Sequence, residues 1–139
     1  MIRLVAGDTG EGKTKDLIRM ANEAVKMTKG HIVYLDGDSS HIYDLHHDIR
    51  YINVSEFPIN DYKEFFGFMC GILSEDNDID QIYVDGLLRM AHLPIENDHT
   101  NELIGKLKAV SDSLNVRFII SVNCDTTGLP VSLKEYLVA

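Results

Sequence analysis

The sequence predicts an α/β domain: a three-layer α/β/α sandwich around a mainly parallel sheet of four or five strands. Three observations predict it. Short β-rich runs alternate along the chain with longer stretches of helical periodicity. The runs are apolar almost throughout, as strands covered on both faces must be. Each run ends at a cluster of polar residues. With 139 residues, 45% of them hydrophobic and 25% charged, a single domain spanning 1–139 is expected.

The first strand is expected at "IRLVA" (2–6), stopping at Gly7. Residues 14–30 place Leu17, Ile18, Ala21, Ala24 and Val25 at helical spacing, with Gly30 as the stop. "HIVYLD" (31–36) reads as a buried strand. Residues 40–48 read as a short helix capped by Ser39 or Ser40, and 51–54 as a short strand. Tyr62, Phe65, Phe66, Met69 and Leu73 form the core stripe of a second long helix. "QIYVD" (81–85) is the next strand. Leu103, Ile104, Leu107, Val110 and Leu114 mark a helix starting between Asp98 and Thr100. "VRFIISV" (116–122) is the last strand and "PVSLKEYL" a terminal helix.

If the strands are parallel, five polar clusters project from one sheet edge: Asp8 to Thr14, Asp36 to Ser39, Ser55-Glu56, Asp85, and Asn123 to Asp125. Open parallel sheets bind ligands at that edge. Charge narrows the class of ligand. The net charge is −9, but residues 1–29 hold six basic and four acidic side chains, and the acidic excess lies beyond them. A nucleic acid is therefore not an expected partner, because binding one needs a basic stripe. A small phosphate compound fits the one basic region. Cys70 and Cys124 lack metal-ligand spacing and read as buried thiols. The opening segment is too soon interrupted for a signal peptide, and apolar runs fall short of a membrane span. A cytoplasmic protein is expected.

The polar cluster after the first strand reads "GDTGEGKT", residues 7–14. It has the spacing Gly-x-x-x-x-Gly-Lys-Thr, with a strand before it and a helix after it. Gly7, Gly10 and Gly12 permit backbone angles that bulkier residues resist. Through Asp8, Thr9, Gly10, Glu11 and Gly12, successive N–H groups can turn inward. The helix N-terminus adds partial positive charge. Lys13 is placed to bridge β- and γ-phosphates, and Thr14 to offer its hydroxyl to Mg²⁺.

This segment is identified as the Walker A motif of the P-loop NTPases, which implies the P-loop NTPase fold. "QIYVDG" resembles a Walker B strand and makes Asp85 the expected second magnesium residue beside Thr14, with Asp36 of "IVYLDGD" competing. The order of elements over residues 2–125 is similar to the RecA/RadA-like branch. That resemblance implies ATP and Mg²⁺ as ligands, a water-orienting role for Asp38, and a place near the γ-phosphate for Asn123. Lys13, Asp38 and Asn123 are thus the implied catalytic residues. The departures are specific. Asp38 is a methylene shorter than the family's Glu, and Gly86 follows Asp85 where a second acid would stand. The guanine-reading Asn-Lys-x-Asp is missing, which argues against a GTPase.

The resulting expectation is a slow Mg²⁺-dependent ATPase of RecA-like type. A protein partner or second copy would supply an arginine for fast turnover. Two rivals stand beside it. One is a regulatory module that binds nucleotide without hydrolysing it. The other is a P-loop small-molecule kinase, against which stands the small total of five arginines. His41, Asp44, His46, His47 and Asp48 lack the spacing of a helical zinc pair and read as a solvated face. Arg89, four residues after Asp85, reads as a surface salt-bridge partner, with phosphate contact as the alternative. Residues 93–101 read as an exposed connection that could also cover a ligand.

Overall fold

The computed structural model describes residues 1–7, 12–95 and 97–137. All five apolar runs form strands: β1 (Ile2–Gly7), β2 (His31–Asp36), β3 (Ile49–Asn53), β4 (Ile79–Asp85) and β5 (Arg117–Asn123). They make one sheet, parallel throughout, in the order β1-β5-β4-β2-β3. The helices between them are α1 (Lys13–Val25), α2 (Tyr62–Glu75), α3 (Leu87–Met90), α4 (Asp98–Leu114) and α5 (Val131–Lys134).

The strand order dictates the layers. From β1 the chain crosses over two strands to reach β2, carrying α1; from β3 to β4 and on to β5 it runs back, carrying α2 and α4. Right-handed crossovers running in opposite directions place their helices on opposite faces. Accordingly, Leu17 and Ala21 of α1 pack on Ile32, Tyr34, Ile49, Tyr83 and Ile119. On the other face, Phe65 and Met69 of α2 and Leu103 and Leu107 of α4 cover Val33, Leu35, Ile82, Val84, Phe118 and Ile120. Burying each such side chain contributes ~1.5–3 kcal/mol. The period of two along each strand puts one set of residues toward α1 and the alternate set toward α2 and α4.

Local signals explain most helix boundaries. The Asp61 carboxylate caps α2 by accepting from the Glu64 N–H at 2.8 Å, and Glu64 reaches back to the Asn60 N–H at 2.7 Å. Asn97 caps α4, and Asn115 ends it in the left-handed region at φ 56°.

Three expected helices come out shorter. The first stops at Val25 instead of running on to Gly30. Thr28 turns its hydroxyl to Asp80, and Gly30 donates its N–H to the same carboxylate at 2.9 Å. Gly30 is needed for close approach, since a Cβ there would lie 2.3 Å from the Asp80 side chain. Within 40–48 only a 3₁₀ turn forms, over Ile42–Asp44. Asp38 binds the Ser40 N–H and hydroxyl, a local bond that competes with helix. The terminal helix ends at Lys134 because Leu137 bridges to Leu4, covering the outer edge of β1.

Candidate functional site

The parallel sheet delivers the polar strand ends to a single edge. Beyond β1 the chain turns to the α1 face, and beyond β4 and β5 it turns to the other. The crevice between these departures is where open α/β sheets hold ligands. By strand alternation, Tyr34, Asp36, Tyr83, Asp85, Ser121 and Asn123 all lie on the α1 side.

Asp85 is the most elaborately held acid there. It is buried, and it accepts from Tyr34 Oη at 2.9 Å, Ser121 Oγ at 3.1 Å and Thr14 Oγ1 at 3.2 Å. Ser121 in turn accepts the Gly86 N–H at 2.8 Å. The hydroxyls come from β2, β5 and α1, so one carboxylate ties three elements together. Burial, and then the charge of Asp85, pushes the Tyr34 phenol well above its ordinary range, so it remains a donor.

Lys13 opens α1. It is buried, with its Nζ donating to the Gly7 carbonyl at 2.7 Å. Gly12 before it sits at φ 82°, in the left-handed region that favours glycine. Asp8, Thr9, Gly10 and Glu11 lie outside the described residues. A cleft of about 740 Å³ opens over this corner, lined among others by Lys13, Thr14, Lys15, Asp85, Arg89 and Asn123. His41 and Asp44 also line it; their side chains pair at 3.1 Å, and Asn22 of α1 fixes their turn by donating to the Asp44 carbonyl at 2.9 Å.

Of the residues expected in the site, Gly12, Lys13, Thr14, Asp85 and Asn123 line this one cleft. Gly7 ends β1 directly below them, in register with Asn123. Asp38 does not line it. Its exposed carboxylate accepts from Ser40 Oγ at 2.7 Å and the Ser40 N–H at 2.9 Å, which hold it below the usual carboxylate range. Asp36 is buried and accepts from Tyr51 Oη and the Gly37 N–H, both at 2.7 Å. Its pKa is raised, chiefly by burial.

Two participants, Tyr34 and Ser121, lie outside the sequence reading, and a third, Arg89, enters it only as the alternative to a surface salt bridge. Tyr34 and Ser121 carry a signal in retrospect: each interrupts an apolar strand with a hydroxyl that, once buried, needs a partner. Arg89 sits on α3, a one-turn helix without enough length to show periodicity. In place of the expected surface salt bridge, its side chain lies in the cleft and, among the described residues, forms no ion pair within 4.0 Å.

Comparison with the sequence patterns of known families, and with curated proteins, finds no match to the chain. Among the described residues no helix is long and apolar enough to cross a membrane.

Proposed function

We propose that this chain is a cytoplasmic P-loop protein of RecA-like type that binds ATP with Mg²⁺ and hydrolyses it slowly. The observation that carries the reading is the pairing of Thr14 with Asp85 beside Lys13, in one cleft at the carboxyl edge of a parallel sheet. The donor set suits the metal. A hydroxyl and a carboxylate 3.2 Å apart are the hard oxygen ligands Mg²⁺ takes, with phosphates and waters completing its shell. When bound, magnesium would neutralise charge on the β- and γ-phosphates.

The chain's own residues do the rest. Lys13 brings a buried cation to the phosphates, and the first N–H groups of α1 add dipolar attraction. Tyr34 and Ser121 fix the orientation of Asp85. Asn123 presents an amide at the same cleft. Water attacks the γ-phosphorus, the bond to the β–γ bridging oxygen breaks, the electron pair leaves with ADP, and the proton lost by the water passes to a phosphoryl oxygen or to solvent.

One observation favours a second reading, a regulatory module that binds nucleotide without cleaving it. The Asp38 carboxylate, expected to orient the water, is bonded to Ser40 and does not line the cleft.

Equilibrium binding of ATP and phosphate release with Mg²⁺, in wild type and Lys13→Ala, test both readings. Lys13→Ala is expected to weaken binding at least tenfold, equivalent to about 1.4 kcal/mol. Binding that survives Lys13→Ala unchanged refutes the cradle. Tight binding without phosphate release selects the regulatory module. Transfer of phosphate to an added metabolite, without free phosphate, selects a kinase.

A further inference from the structure

The geometry points to Arg89 as the chain's own transition-state cation, so that we infer hydrolysis proceeds without an arginine from a second protomer. The inference rests on the nucleotide reading of the same cleft.

The backbone that carries Arg89 is held in place by the residues around it. Leu87 and Met90 on α3 are buried, and Gly86, before the helix, is anchored through its N–H to Ser121, the residue that also holds Asp85. The helix is thus attached to the site it borders. From it the guanidinium extends across two backbone segments that lack side chains. A Cβ on Gly37 would lie 2.8 Å from Arg89 Nη2, and one on Gly86 would lie 3.3 Å from it. Gly86 also needs its glycine for φ 99°; Gly37 carries no such backbone demand, so the close approach of Arg89 is what the structure shows for it. Two strand ends, those of β2 and β4, leave room for one guanidinium.

The side chain is exposed, and among the described residues it spends none of its five N–H donors on an ion pair or hydrogen bond. This holds although Asp36, Asp38 and Asp85 terminate or follow the adjoining strands. Each of those acids is already engaged: Asp36 by Tyr51, Asp38 by Ser40, and Asp85 by three hydroxyls. A fork of donors is therefore left lining the same cleft as Lys13 and Lys15. Three cationic side chains border one space, an arrangement for an anion. Planar, always-charged guanidinium suits the spread charge of a transferring phosphoryl group better than a lysine does. Arg89 gains and loses no proton in the step. It donates N–H bonds to the γ-phosphoryl oxygens while the water–phosphorus bond forms and the bond to the bridging oxygen breaks.

The test compares wild type, Arg89→Ala and Arg89→Lys in the full chain, with melting temperature checked for each. Wild-type binding of ATP is measured first, and its failure overturns the nucleotide reading before Arg89 is touched. The inference then expects Arg89→Ala to bind ATP nearly as wild type does but to release phosphate roughly 10²–10³-fold more slowly in single turnover. Added guanidinium ion should restore part of that rate in Arg89→Ala and nothing in Lys13→Ala. Arg89→Lys should fall between. Wild-type specific activity should not change with protein concentration. Phosphate release by Arg89→Ala at the wild-type rate overturns the inference, as does wild-type release that appears only when the chain is concentrated enough to associate.

Discussion

The ends of β2 and β4 carry nearly the same sequence, Tyr34-Leu35-Asp36-Gly37 and Tyr83-Val84-Asp85-Gly86, on strands that pair with Tyr34 beside Tyr83. Both aspartates are buried, and each accepts a hydrogen bond from the hydroxyl of a tyrosine one strand over, Tyr51 for Asp36 and Tyr34 for Asp85. What separates them is the far side. Next to β4 lies β5, which brings Ser121, and α1 starts close enough for Thr14 to reach Asp85. Asp36 instead closes on the N–H of its own following residue, Gly37, and its tyrosine also reaches the Asp38 carbonyl at 2.6 Å. One acid becomes a junction between elements, the other the cap of its own turn. Strand order, more than the tetrapeptide, decides which is which.

The largest expected effect tests that division directly. Asp85→Asn should lower the Mg²⁺-dependent part of ATP affinity by roughly 10–100-fold, the range typical for losing a group that orients a metal site. Asp36→Asn should leave it unchanged. Calorimetric titration at several magnesium concentrations reads both. Equal losses would show that the two strand ends are functionally equivalent, and a larger loss at Asp36 would exchange their roles.

Next in size is a comparison of the two tyrosines by urea unfolding. Tyr34 is fully buried, so Tyr34→Phe leaves a buried carboxylate short of one donor. A hydrogen bond to a charged group contributes about 2 kcal/mol, and that is the expected loss. Tyr51 is only half-buried, and water can replace its hydroxyl, so Tyr51→Phe should cost about 1 kcal/mol or less. A Tyr51→Phe loss as large as that of Tyr34→Phe would remove the distinction between junction and cap.

This contrast also explains what could be read in the sequence. Strand identity was legible because "IVYL", "IYV" and "FIIS" are β-rich and buried on both faces, and a parallel sheet leaves no polar side to blur them. The shared edge followed from parallelism, and the Gly-Lys-Thr spacing located Lys13 and Thr14 within it. The order β1-β5-β4-β2-β3 was not legible, since it depends on contacts between segments far apart in the chain. Asp36 and Asp85 look alike for the same reason. The resemblance that implies a role for Asp38 carries no information on side-chain direction, whereas Ser40, two residues on, turns its carboxylate aside. Arg89 is exposed as the sequence reading has it, but the choice between a salt bridge and phosphate contact stays open there because a single helical turn shows no periodicity to orient it.

The smallest effect belongs to the opposite end of β2, where the comparison is with an exposed pair. His31 opens the strand that Asp36 closes, and its Nδ1 lies 2.6 Å from Asp76 Oδ2. The bond to Asp76 raises the His31 pKa, with Asp78 and Asp80 adding to the same sign, and the bond to His31 lowers that of Asp76. The two shifts define a window. Stability from the raised histidine is complete below its unfolded value of 6.5 and is lost as pH rises through its folded value. Stability from the depressed carboxylate is complete above its unfolded value of 3.8 and is lost as pH falls through its folded value. The difference in urea midpoint between wild type and Asp76→Asn should therefore be greatest between those two values and shrink on either side. Asparagine keeps the acceptor for the Asp78 N–H, so the variant removes the charge and spares the turn. His31 is exposed and Asp76 partly so, hence salt should weaken the difference as well. A gap that is flat across pH and indifferent to salt would mean that the pair acts by packing alone. The ends of β2 would then differ in geometry but not in how they use charge.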